Sequence, residues 1–375
     1  MPAGKGGPVG RGRRVRGLVR WTSVLLAAAT LACSLPGTAA PARFSPTNCG
    51  APTKTPFVVP SYKGLDYETP PTINGEYAGV EWLRKGSGRN ANRQFENTFP
   101  ALQADLDFIK RNDLGLLMRL FLGLDQAMVW NPETGFVRFD GQALDNFQRV
   151  LDLFAAHGMK VIVVLFDEEV QGSSGTFRYQ ALDGRHESMR SNYLRAVDIF
   201  MRRFGANPAV AGWDLFNEAY NSIGRDGRSP FGNYSNQTVH AWLHDLYSTA
   251  KCAASGAWLT VSDSTELYPS QDPDLSKLED SVDFYDIHVY DDHPGLPDWR
   301  SILHKPYIVG EAGADEATDH YRDQKINAPV VSYLLQHGRQ VGVQAVLALS
   351  AQSNIYPTDR SRLTATGKVI SDFDR

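Results

Sequence analysis

Eight short apolar runs, most of them followed by a helix-like pattern, most constrain what this chain can fold into. Between the runs, apolar residues recur at helical spacing, for example at Leu102, Leu106 and Ile109. Strands that alternate with helices form a parallel sheet, and eight in one domain favour a closed barrel over an open sheet. We therefore predict the α/β class and a single (β/α)₈ TIM barrel. The runs lie at residues 79–83, 114–122, 161–166, 209–216, 258–261, 284–290, 305–310 and 343–349.

Residues 1–40 differ in kind from the rest of the chain. They carry six basic residues and no acidic one, with an apolar stretch at 24–32 and then small residues. This pattern predicts an export signal, because the stretch is far shorter than the ~20 residues of a membrane span. Cleavage after Ala40 would leave the protein secreted. A rival site partly resembles a lipobox, and the protein would meet a membrane only if Cys33 were lipidated.

The remaining chain is acidic and begins with a biased segment. Removing residues 1–40 changes the formal net charge from −4 to −10. Nucleic acids bind basic surfaces, so this charge argues against a nucleic-acid partner. Residues 41–75 are rich in proline, serine and threonine, which predicts an arm or linker. The folded domain is then residues 76–375, and we expect a monomer.

The three cysteines bear on the compartment and on metal binding. Cys33 belongs to the predicted export region, which leaves Cys49 and Cys252 as an even pair in an exported chain. They either form one disulfide or remain two separate thiols, and their spacing leaves both readings open. No CxxC or paired Cys/His spacing indicates a structural zinc site.

Two of the apolar runs end in a glutamate. The run at 209–216 is followed by Asn217 and Glu218, and the run at 305–310 by Glu311. The carboxyl ends of barrel strands meet at one mouth, where the active sites of such barrels lie. Either glutamate alone is compatible with a helix-capping or loop carboxylate. As a facing pair they predict glycoside hydrolysis, which uses two carboxyl groups across the scissile bond.

Further side chains suit such a mouth. Arg119 lies inside an apolar run, and a buried cation must be paired and favours an ionised carboxylate beside it. His288 and Tyr290 are two residues apart on one strand and share a face. Trp82 is a candidate for stacking on a sugar ring. Asp167 leads three acids that either bind sugar hydroxyls or a cation, or are simply solvated. Other aromatic candidates are Trp130, Tyr220 and Tyr268.

Together these residues resemble the glycoside hydrolases of clan A, most closely family 5, the cellulase and mannanase group. The resemblance covers most of residues 76–356. It implies that Glu218 is the acid/base, that Glu311 is the nucleophile and that Asn217 binds the sugar 2-hydroxyl. The motifs that carry it, in chain order, are Arg119, Asn217-Glu218, His288-x-Tyr290 and Glu311.

The resemblance also implies roles around the nucleophile. Arg119 and Tyr290 would contact it, and His288 would line the subsite of the attacked sugar. Residues 347–352 lack the tryptophan that family 5 members commonly carry at the end of the eighth strand. We therefore predict a secreted retaining hydrolase of a β-glucan or β-mannan, with no metal or organic cofactor. A carbohydrate-binding surface lipoprotein without turnover and a transglycosylase remain as alternatives.

Overall fold

The computed structural model describes part of the chain, all of it within one compact unit of residues 41–375. No helix among these residues has the length and apolar character needed to cross a membrane. The described residues are 44–46, 49, 56–67, 94–131, 133–166, 187–218, 236–264, 278–296, 298–301, 303–315, 320–349, 354–357 and 359–374. Predicted features outside them are the export signal, Cys33, the run at 79–83 with Trp82, Asp167, Tyr220 and Tyr268.

Strands and helices alternate along the chain. The strands are β1 Lys63–Tyr67, β2 Leu117–Phe121, β3 Met128–Asn131, β4 Gly135–Phe139, β5 Lys160–Val164, β6 Val210–Asp214, β7 Leu259–Thr260, β8 Ser262–Ser264, β9 Tyr285–Tyr290, β10 Tyr307–Gly313 and β11 Val346–Ala348. The helices are α1 Gln94–Arg111, α2 Leu124–Ala127, α3 Gly141–Ala156, α4 Glu187–Phe204, α5 Asn236–Ala253, α6 Gln324–Gln340 and α7 Ala365–Asp372.

Nine of these strands form one parallel sheet in the order β7-β6-β5-β2-β1-β11-β10-β9-β8. Only Val261 separates β7 from β8, and β7 pairs with β6 whereas β8 pairs with β9. The stretch 259–264 therefore occupies one barrel position, and the sheet is a nearly closed barrel of eight positions. The predicted (β/α)₈ fold is confirmed. β3 and β4 form a separate antiparallel hairpin, which we did not predict.

The first barrel strand lies inside the segment predicted to be an arm. β1 pairs with β2 on one side and with β11 on the other, so the prediction for 41–75 is wrong at residues 63–67. Lys63 and Asp66 interrupt the apolar pattern of this short strand, which conceals it in the sequence. Both are buried in the barrel. The Lys63 ammonium donates to the carbonyls of Ile370 and Phe373, which end α7.

The helices pack apolar faces against the sheet, as their spacing predicts. Asp140 caps α3 by accepting hydrogen bonds from the backbone amides of Gln142 and Ala143. The predicted faces are buried at Leu102, Leu106 and Ile109 of α1 and at Leu144, Phe147, Val150, Leu151 and Phe154 of α3.

The arm residues before β1 cover the amino-terminal end of the barrel. Phe57 stacks on Phe284, with ring centroids 4.5 Å apart, and contacts Trp258 at 4.9 Å. Both partners stand just before a barrel strand, at the end opposite the mouth. A disulfide between Cys49 and Cys252 links the arm to α5. Of the two alternatives that the sequence left open, a disulfide or two separate thiols, the structure has the disulfide.

We expect the double variant Cys49→Ser/Cys252→Ser to lose about 2–4 kcal/mol of unfolding free energy, because the bond closes a loop across a separation of 203 residues. Thermal unfolding with and without reductant measures the loss. The wild type should respond to reductant and the double variant should not. Equal melting temperatures for oxidised wild type and variant would contradict the expected contribution.

Candidate active site

Six of the eight predicted site residues are described, and their side chains meet at the carboxyl ends of the barrel strands. The other two, Trp82 and Asp167, lie outside the described residues. The six are Arg119 of β2, Asn217 and Glu218 after β6, His288 and Tyr290 of β9, and Glu311 of β10.

A β-bulge in β10 orients the Glu311 side chain towards Arg119 and Tyr290. The register between β9 and β10 shifts between Val309 and Glu311, so Gly310 is the extra residue. Such a bulge redirects the side chain that follows it. The Glu311 carboxylate accepts a hydrogen bond from the Tyr290 hydroxyl at one oxygen and from the Arg119 guanidinium at the other. Both contacts that the resemblance implied are present, and Glu311 is only 5% exposed.

Glycine at position 310 also makes room for a neighbouring carboxylate. A Cβ atom at Gly310 would overlap Oδ1 of Asp286, which lies against the β10 backbone. We expect Gly310→Ala to cost about 1–3 kcal/mol of unfolding free energy, as overpacking of a dense interior does. Urea unfolding provides the measurement. Gly141→Ala is the control, since a Cβ there meets no atom within 4 Å. Equal losses in both variants would contradict this account.

Glu218 occupies an unusual backbone conformation. Its φ is 46°, in the left-handed region that residues other than glycine seldom adopt. Such conformations cost on the order of 1–3 kcal/mol and cluster at functional sites. The carboxylate shares a hydrogen bond of 2.7 Å with Nδ1 of His288 and remains partly exposed at the mouth.

The carboxylates of Glu218 and Glu311 lie close together at the mouth. One oxygen of Glu218, one of Glu311 and a ring nitrogen of His288 all lie within 4.8 Å of one another. Retaining glycosidases hold their carboxyl groups ~5–5.5 Å apart, and inverting ones ~6.5–9.5 Å. The spacing matches the retaining arrangement. Carboxylates and imidazole are also cation ligands, but the Arg119 charge on Glu311 opposes a second cation there.

Arg119 positions the amide beside the acid. It is fully buried. Its Nη2 donates to Oδ1 of Asn217 at 2.6 Å, to Oδ2 of Asp214 at 2.7 Å and to the Ser262 hydroxyl at 3.0 Å. The Ser262 hydroxyl donates in turn to Asn217 Oδ1 at 3.1 Å. These contacts hold the amide oxygen of Asn217 against Arg119 and Ser262.

Four carboxylates surround the Arg119 guanidinium. Glu311 and Asp66 face Nη1, Asp214 faces Nη2, and Asp286 lies 3.4 Å from Nε. Burial disfavours the charged guanidinium, but the carboxylates, Glu311 foremost, outweigh it and hold the pKa of Arg119 above its ordinary value. The barrel interior beneath the mouth therefore carries more negative than positive groups.

Sequence reasoning missed four members of this cluster: Asp66, Asp214, Ser262 and Asp286. The two-residue alternation that paired His288 with Tyr290 extends back to Asp286, so that signal was present. For Asp66 no signal was available, because its strand was assigned to the arm.

Trp130, predicted as a sugar-stacking candidate, lies in the β3–β4 hairpin between β2 and α3. Its ring is half-buried and packs against Tyr193 of α4, with centroids 5.9 Å apart. Its contact with a sugar remains a prediction.

The fold is a parallel barrel of eight strand positions, and two glutamates meet at its carboxyl end. This combination is that of the glycoside hydrolases with a barrel fold. The family model described as Cellulase (glycosyl hydrolase family 5) matches residues 88–353. The chain belongs to this family, which confirms the resemblance inferred from its motifs. No curated protein sequence matches the chain significantly.

Solved structures with the same fold include mannan- and cellulose-related enzymes. The β-mannanase of the blue mussel Mytilus edulis matches with a TM-score of 0.59 at 16% identity, covering 84% of this chain and 97% of that one. A Streptomyces cattleya GH5_18 protein in complex with Manβ1-4GlcNAc gives 0.60 at 13%, covering 83% and 80%. Thermotoga maritima Cel5A in complex with cellobiose gives 0.53 at 12%, covering 83% and 96%. At these identities the likeness establishes the fold alone.

Proposed function

We propose that this protein is a secreted, retaining β-glycoside hydrolase that cleaves a β-mannan or β-glucan by double displacement. The observation that carries the proposal is the approach of a Glu218 oxygen and a Glu311 oxygen to within 4.8 Å. At this spacing a carboxylate reaches the sugar directly, and no water fits between it and the anomeric carbon.

The surroundings of the two glutamates differ in the way this mechanism needs. Glu311 receives a guanidinium N–H and a phenol O–H, and both stabilise its ionised form. We assign it as the nucleophile. Glu218 lies closer to solvent and bonds to His288, so that it can exchange protons between the two half-reactions. We assign it as the acid/base.

In the first step a Glu311 oxygen attacks the anomeric carbon and the glycosidic C–O bond breaks. The Glu218 proton passes to the departing oxygen, which leaves as an alcohol. In the second step Glu218 takes a proton from water, the water oxygen attacks the same carbon and the bond to Glu311 breaks. Two inversions give net retention. Asn217 donates to the sugar 2-hydroxyl, and His288 lines the subsite of the attacked sugar.

Family membership and the mannanase names among the structural neighbours support a β-mannan first and a β-glucan second. The test is the full chain, exported from a host cell, assayed on 4-nitrophenyl β-mannoside and β-glucoside, soluble β-mannan and β-glucan. Proton NMR of the first-formed anomer reports the stereochemistry. We expect a β-anomer. An α-anomer, or no cleavage of any substrate, would refute the proposal, and sugar–sugar products in place of sugar–water products would favour a transglycosylase.

Export is tested separately by the mass of the mature protein. Cleavage after Ala40 leaves Pro41 as the first residue. A diacylglyceryl group on Cys33 would instead favour the lipoprotein alternative, most strongly if the protein bound sugar without cleaving it.

A further inference from the structure

Asp286 lies on β9 two residues before His288, which bonds to Glu218 and stands opposite Glu311 in the sheet. It shares the interior face of β9 with His288 and Tyr290, since the three are spaced two residues apart. Its side chain is fully buried and occupies the space that Gly310 leaves open. The Asp286 carboxyl group can lie here because residue 310 of β10 is a glycine and has no side chain.

The contacts of Asp286 are unusual for a buried carboxylate. Neither oxygen has a hydrogen-bond partner among the residues that the structure describes. Within the described part of the chain, its ion contact is with Nε of Arg119, at 3.4 Å. Burial raises the pKa of Asp286 to about 6, against the opposing charges of Arg119 and His288. The charged groups that act on it are Arg119 of β2, His288 of β9 and Asp214 of β6, and Asp66 of β1 and Glu311 of β10 share its Arg119 partner.

A structural carboxylate is normally held by several hydrogen bonds, because an unpaired buried charge is costly. Asp286 is instead held by an ion contact with Arg119 at 3.4 Å and by no closer hydrogen bond among the described residues. A negative charge near a second carboxyl group opposes its ionisation. The acid/base is bonded to His288, two residues along the same strand, and His288 is also among the charges that act on Asp286.

We propose that Asp286 is a positioning residue whose carboxylate charge, placed beneath His288, keeps Glu218 protonated to higher pH during turnover. This inference rests on the proposed role of Glu218 as the acid/base. Asp286 touches neither substrate nor the reacting atoms, and acts through the charge balance of the cluster. Because its own proton leaves near pH 6, its influence is confined to the alkaline side of the activity profile.

The test is the pH dependence of kcat/KM for the wild type and for Asp286→Asn, which keeps the shape of the side chain and removes the charge. We expect the alkaline limb to move down by about half a unit to one pH unit. The acid limb should stay in place, because Asp286 is already neutral there. Asp286→Ser, smaller and also neutral, should give the same shift if the asparagine variant folds poorly.

Asp105→Asn is the matched control. Asp105 is a fully buried carboxylate on α1, held by the Tyr67 hydroxyl at 2.6 Å and by Arg360 at 2.6 Å. We expect this variant to lower the melting temperature and leave the pH profile unchanged. A profile of Asp286→Asn that superimposes on that of the wild type would overturn the proposal, as would an equal shift in Asp105→Asn.

A carbon-13 NMR titration separates this inference from the proposed function. The Glu218 carboxyl, assigned by its loss in Glu218→Gln, is titrated without substrate in the wild type and in Asp286→Asn. We expect the same downward shift of the midpoint. An active enzyme with an unchanged midpoint refutes the role of Asp286 alone. A shifted midpoint in a protein that cleaves no glycoside refutes the proposed function alone.

Discussion

Glu311→Ala is expected to lower kcat/KM by at least about 10⁴-fold on every substrate that the wild type cleaves, because the covalent step loses its nucleophile. Glu218→Ala should lose about 10²–10⁴-fold, the typical contribution of general acid–base catalysis. Its loss should be smallest on substrates with a good leaving group, such as 4-nitrophenolate, because departure of that group needs little protonation.

Azide separates the two roles. In Glu311→Ala it occupies the space of the missing carboxylate and attacks the sugar directly, so the product is an α-glycosyl azide by a single inversion. In Glu218→Ala azide attacks the glycosyl-enzyme and gives a β-glycosyl azide by two successive inversions. Proton NMR of the azide products provides the measurement. Activity within tenfold of the wild type for Glu311→Ala, or the opposite azide anomers, would contradict the assignment.

Arg119→Met is expected to be the most destabilising single change at the site, with a loss of about 3–5 kcal/mol at neutral pH. Removing the guanidinium leaves four carboxylates, those of Asp66, Asp214, Asp286 and Glu311, close together in the barrel interior. Methionine fills similar volume, so the loss reports charge more than packing.

The loss should also depend on pH. Without the cation, the buried carboxyl groups hold protons more tightly in the folded than in the unfolded state. Their contribution to stability is then present at low pH and disappears as the pH rises through their folded pKa values. Urea unfolding should therefore show a larger difference between wild type and variant near pH 7.5 than near pH 4.5.

Arg190→Met is the matched control for this comparison. Arg190 is also buried, but among the described residues its ion pair is with one partly exposed carboxylate, that of Asp245, at 2.5 Å. We expect a smaller loss with little pH dependence. Equal losses of unfolding free energy in both arginine variants at both pH values would contradict the expected repulsion among the four carboxylates around Arg119.

Much of the fold follows from local patterns in the chain. The apolar runs at β2, β5, β6, β9, β10 and β11 were predicted within a few residues, because buried parallel strands are continuously apolar. The two strand-end glutamates were predicted to meet for the same reason, since strands of one parallel barrel direct their carboxyl ends to one mouth. Both results depend only on periodicity and chain order.

The tertiary structure decided what local patterns cannot encode. β1 could not be recognised from the sequence, because two charged residues argue against a buried strand. The structure supplies their partners: Lys63 bonds to the end of α7, and Asp66 pairs with Arg119. The bulge at Gly310 and the approach of Asp286 depend on the register between β9 and β10. Sequence determined which residues stand at the strand ends, and three-dimensional packing determined which charges face each other there, because electrostatic partners are set by distance in space and not along the chain.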